Sequence, residues 1–155
     1  MRGWSAAVSG TAGFLAVALL AGCANAADTA LEQATANARR NLDQLRVNVN
    51  SAFTVGSLSW SKRYQLALEA MPKPSSTPGS EFFRSGYGND SAWFDAAILG
   101  EGEASDGIVK YQKFARICSH IAVERRGGVI STIAGNLECP PGLVQVDKTV
   151  KASTD

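Results

Sequence analysis

Histidine is all but missing from this chain: His120 is the only one, so a mononuclear catalytic zinc of the usual kind has too few ligands. Cysteine is scarce as well, with three. A structural zinc held by two of them and His120 would fall one ligand short, so no metal and no cofactor is expected. Neither sign of charge prevails, 15 Lys and Arg standing against 14 Asp and Glu in 155 residues. Such a balance offers no basic surface for nucleic acid or for a polybasic membrane contact. Long apolar runs are lacking too. The stretch Ala12 to Leu20 would make only about 14 Å of helix against a bilayer core of about 30 Å, and nothing later is more apolar. There is no internal repeat.

What is present begins at the amino terminus. A cationic end with Arg2, the apolar run and the small residues after it have the three parts of an export signal. Leu20-Ala21-Gly22-Cys23 resembles the lipobox of bacterial lipoproteins, an aliphatic residue and two small ones before an obligatory cysteine. The resemblance covers only these first residues and speaks to address, not activity. It implies removal of residues 1–22, acylation of Cys23, a short lipidated tether over 23–27, and two or three acyl chains that anchor stably where one would not. Ala24 lacks the aspartate that in Gram-negative lipoproteins implies retention at the inner membrane. A second cleavage pattern, Ala24-Asn25-Ala26, fits ordinary signal processing and would release a free secreted protein beginning at Ala27.

Once Cys23 is acylated or removed, Cys118 and Cys139 are the pair that remains. In an oxidising compartment they are expected to form a disulfide. It would close a loop of about 20 residues and stabilise by about 3 kcal/mol on the chain-entropy account.

Leu31, Ala34, Ala38, Leu42, Leu45, Val49 and Ala52 recur three or four apart from Asp28 onward, an amphipathic helix with Asp28 as cap and Gly56 as stop. A shorter helix follows from Ser59, with Tyr64, Leu68 and Met71 on one face and Pro72 ending it. Residues 72–91 are dense in Pro, Gly and Ser and read as a long loop. Trp93–Leu99 reads as a buried strand and Gly100–Gly107 as an acidic, turn-rich connector. From Val109 the odd positions are mostly apolar, which suits a strand, and Val129–Ile133 returns after the turn at Glu124–Gly128. Residues 107–126 also admit a helix with Ile108, Tyr111, Ala115, Cys118 and Ala122 on one face; their β-branched load favours strand. With a turn centred near Gly127, Cys118 would oppose Asn136, so a bulge or a reversal at Pro140-Pro141 must bring Cys139 back. Leu143–Val146 is a candidate edge strand, and 147–155 a frayed tail.

The expected fold is therefore α+β: a long amino-terminal helix and a short one packed on a three- to four-stranded antiparallel meander, one domain over 28–146, with one disulfide.

Few places carry chemistry. Ser59-Trp60-Ser61-Lys62 matches the S-x-x-K of penicillin-binding enzymes, but no K-T-G follows, and a helix cap accounts for the serine. Glu101 and Glu103 could share a face at roughly 7 Å, or bind calcium weakly with Asp106; their flanking glycines favour a solvated turn. Adjacent residues of a strand face opposite ways, so Ser119 and His120 cannot act as nucleophile and base, and His120 is expected at the surface. Phe82, Phe83, Arg84 and Tyr87 are the candidate binding patch, since aromatics with arginine dominate recognition hot spots. Their alternative role is to fold inward and cap the core. The expected function is a non-enzymatic envelope lipoprotein, a binding module for a protein, peptide or glycan held on a membrane by its lipid. The competing class, a small cell-wall hydrolase, requires a cleft with a partly buried carboxylate.

Overall fold

The computed structural model describes residues 12–73 and 79–152, with side chains from Asn25 onward. Two helices, α1 (Ala12–Thr54) and α2 (Trp60–Glu69), precede five strands: β1 (Glu81–Tyr87), β2 (Ser91–Ser105), β3 (Lys110–Arg126), β4 (Val129–Asn136) and β5 (Lys148–Val150). The first four form an antiparallel meander in chain order, and β5 joins β3 in parallel. The α+β architecture, the two helices and the Cys118–Cys139 disulfide are as the sequence leads one to expect.

One helix stripe faces one side of the sheet. Ala26, Ala30, Ala34, Ala38, Leu42, Leu45, Val49 and Phe53 are all buried. On β2 and β3 the matching inward residues are Ala92, Phe94, Ala96 and Ile98, and Ala115, Ile117, Ser119, Ile121 and Val123. The stripe is graded in size: alanines at its start oppose Gly100 and Gly102, and Phe53 at its end packs on Phe94. A Cβ on either glycine would run into α1 backbone at Ala34 and Ala38, or at Ala30 and Ala34. Glycine there lets helix and strand backbones meet directly.

β2 outruns its neighbour, because β1 pairs it only as far as Ala97. The polar edge beyond is satisfied by side chains: Asn41 Nδ2 donates to the Leu99 carbonyl (2.9 Å) and Asn37 Nδ2 to that of Glu101 (2.7 Å). The Leu99 amide donates to Ser80 Oγ (2.9 Å). Buried or half-buried main-chain groups need such partners. At the far end of α1, Arg63 donates to the carbonyls of Phe53, Gly56 and Leu58 (2.6, 2.9 and 2.9 Å) and so ties off the helix terminus.

Several sequence expectations need correction. The α1 helix does not begin at Asp28 but continues upstream to Ala12, so residues 23–27 are helical. The loop expected over 72–91 contains β1, and the acidic connector Gly100–Gly107 is mostly strand, β2 running to Ser105. Residues 107–126, by contrast, are strand from Lys110, as their β-branched load favours, and the helical alternative falls. Leu143–Val146 makes no strand; the edge is taken by Lys148–Val150 inside the expected tail, where Asp147 accepts from Lys113 Nζ (2.9 Å) and the Phe114 amide (2.8 Å). Register is one residue off the expected value, Ser119 facing Asn136. The Leu137 amide still donates to Cys118 (3.1 Å) before the chain swings away, leaving the two half-cystines 5.3 Å apart at Cα, an ordinary disulfide separation. Arg2, the side chain of Cys23 and residues 153–155 lie outside what is described.

Candidate binding face

The helices cover one side of the sheet, and strand alternation sends every second side chain to the other. Register aligns Arg84 of β1, Asp95 of β2, His120 of β3 and Gly135 of β4 in a single cross-strand row on that outer side. Asp95 is 1% exposed. His120 Nδ1 lies 2.5 Å from Asp95 Oδ1 and Arg84 Nε lies 2.6 Å from Oδ2. The Asp95 carboxyl group thus bridges the two side chains, one oxygen to each, and the imidazole engages it through Nδ1 and not Nε2.

The next row is Gly86, Trp93, Ala122 and Ile133. The Trp93 indole lies across Gly86, where a Cβ would approach Nε1 to 2.8 Å. It stacks on His120 with 5.7 Å between ring centroids and a 24° tilt, and the Arg84 guanidinium is 5.8 Å from its ring. Ile133 beside it is exposed. Indole, imidazole, guanidinium and an aliphatic side chain thus share one patch, held from beneath by the Asp95 carboxylate.

Two positions from His120 on the same side of β3, beyond Cys118, is Arg116, 5% exposed. Its Nε and Nη2 have no hydrogen-bond partner among the described residues. Burial pushes this guanidinium below its ordinary pKa, an effect that Glu81 opposes.

The expected patch is divided. Arg84 belongs to the outer row. Phe82 packs against the core on the helix side, and Phe83 is half-buried at the bulge between Phe82 and Arg84. Tyr87 packs on Tyr64 with 4.5 Å between tilted rings yet remains half exposed. His120 lies at the surface as expected, its side chain 43% exposed, and is bound to Asp95. Ser119 points to the helix side and donates to the Gly135 carbonyl (3.0 Å). Ser59 is the cap of α2, accepting from the Lys62 amide (3.4 Å). Glu101 and Glu103 are exposed on the outer side of β2, and Glu101 accepts from Gln112. No cluster of three or more His, Cys, Asp or Glu suited to a metal occurs among the described residues. Asp95, Trp93 and Arg116 were passed over by sequence reasoning. An aspartate inside the apolar run "AWFDAAIL" was the available signal, because a buried charge requires partners.

Comparison with family models, with curated proteins and with solved structures finds no match. Among the described residues no helix is long and apolar enough to cross a membrane.

Proposed function

We propose that this protein is a cell-envelope lipoprotein, anchored through acyl chains on Cys23, that works outside the cytoplasm as a non-enzymatic binding module. The outer sheet face around Trp93 is its recognition surface for a protein, peptide or glycan partner. The observation that carries the binding role is the double engagement of Asp95. One buried carboxylate holds His120 and Arg84 on either side of Trp93, fixing cation and ring geometry before any partner arrives, which lowers the ordering cost of association. The Cys118–Cys139 disulfide supports an oxidising compartment.

Cleavage before Cys23 would spare every buried side chain described, whereas cleavage after Ala26 would remove one, Ala26 itself. This favours the lipidated form over the free secreted one. The hydrolase alternative draws on Asp95 as a buried carboxylate. Both its oxygens are already taken, however, and Ser119 faces away from His120.

The test is incorporation of radioactive palmitate by cells expressing the wild-type chain and Cys23→Ser, followed by capture of envelope components on the wild type and on Trp93→Ala. Label lost with Cys23→Ser and partners lost with Trp93→Ala are the expected results. Palmitate incorporation that survives Cys23→Ser would exclude the anchor, and unchanged capture by Trp93→Ala would exclude the recognition surface.

A further inference from the structure

We infer that the turn Asp106–Val109, which joins β2 to β3, is a second membrane contact, seating Ile108 and Val109 in the interfacial layer of the bilayer that holds the Cys23 acyl chains. This rests on the lipoprotein reading of Cys23 and goes beyond it, because an acyl anchor alone does not say how the domain sits on the surface.

The geometry comes from the way α1 runs along β2. Asn41 reaches Leu99, and Asn37 reaches Glu101, so helix numbers fall as strand numbers rise. From Glu101 to Asp106 the strand advances about 16 Å at about 3.3 Å per residue, equal to about 11 helical residues at about 1.5 Å each. Counted back from Asn37, this brings the turn level with the part of α1 that holds Cys23 to Ala26. The burial of Ala26 agrees with this level. An anchor at Cys23 therefore presses this end of the molecule, and not the other, toward the lipid.

The turn is built to expose aliphatic side chains. Asp106 Oδ1 accepts from the amides of Ile108 (3.0 Å) and Val109 (2.8 Å), and Gly107 takes a φ of 94°. These contacts fix the tip by backbone chemistry and leave Ile108 86% and Val109 45% exposed. Acidic groups outnumber basic ones around this end: Asp28, Glu32, Glu101, Glu103, Asp106 and Asp147 stand against Arg39, Lys110, Lys113 and Lys148. Attraction to anionic headgroups is thus not the driving force. The contact is aliphatic burial, and added salt does not weaken it.

The β3–β4 turn supplies an internal control. Val129 is 69% exposed beside it, at the other end of β3, roughly 50 Å from Lys110 at about 3.3 Å per residue.

The experiment uses the full chain expressed in its envelope and purified with its natural amino terminus, placed in phosphatidylethanolamine–phosphatidylglycerol vesicles containing a phospholipid with a photoactivatable group near the headgroup. Mass spectrometry then maps labelled peptides and weighs the amino-terminal peptide in the same sample. The expected result is an acylated Cys23 and labelling of the Ile108 peptide about tenfold or more above the Val129 peptide, falling about tenfold in Ile108→Asp. Circular dichroism of the variant should match the wild type, since the side chain is exposed. An acylated Cys23 with equal labelling of the two turns overturns the contact and leaves the anchor standing. An unacylated amino terminus overturns both.

Discussion

His120 of β3 and Asp95 of β2 face each other in the sheet register, and their side chains meet at 2.5 Å on the side the helices do not cover. A carboxylate this buried is stable only because His120 and Arg84 donate to it. Asp95→Ala is expected to cost about 1–3 kcal/mol in urea unfolding, the range for a buried hydrogen-bonded group whose partners remain partly solvated. The same variant should lose partner capture, since Arg84 and His120 would no longer be held beside Trp93. Asp95→Asn keeps one acceptor and should fall between the two. A variant as stable as the wild type would mean that the row contributes nothing.

The contact of α1 with β2 is a backbone contact. Gly102→Ala must push the helix away, and the expected loss is about 3 kcal/mol, typical of overpacking. Gly56→Ala meets nothing within 4 Å and is expected to be neutral or slightly stabilising. Equal unfolding midpoints for the two variants would refute the close approach.

The disulfide pins the chain after β4 to the outer side of β3. Replacing Cys118 and Cys139 by serine should lower stability by about 3 kcal/mol for a separation of 21 residues. The sheet and helices are expected to remain by circular dichroism, with faster amide exchange confined to residues 137–150.

Asp147 fastens the start of β5. The Lys113 ammonium and the Phe114 amide hold its carboxyl below the ordinary aspartate range, against a smaller opposing effect of burial. A lowered value means that the stabilisation is complete above the unfolded aspartate pKa, about 3.9, and is lost as pH falls through the folded value. The stability difference between wild type and Asp147→Asn should therefore be about 1 kcal/mol at neutral pH, modest because the site is exposed, and vanish in acid. A difference that grows as pH falls would reverse the assignment.

The parts of this fold that were legible in the sequence rest on periodicity. The stripe from Ala34 to Val49 named its own helix face, and the alternation from Ala115 to Val123 named the inward side of β3. What was missed rests on pairing. β1 is short and carries glycine and serine, so it resembles the loop around it; its strand character comes from β2 beside it. β5 is three residues long and is held by Asp147, which no local pattern announces. Phe82, Phe83, Arg84 and Tyr87 are close in sequence and so look like one group, whereas alternation and a bulge send them to different surroundings. Asp95 was hidden for the opposite reason: its partners come from strands on either side, 11 and 25 residues away. A cross-strand row becomes visible only once register is known.

The most direct test of the account is the mass of the amino-terminal peptide of the protein purified from the cells that naturally make it. The account predicts a chain beginning at Cys23 and carrying diacylglycerol on its sulfur. An unmodified chain beginning at Ala27 would contradict it.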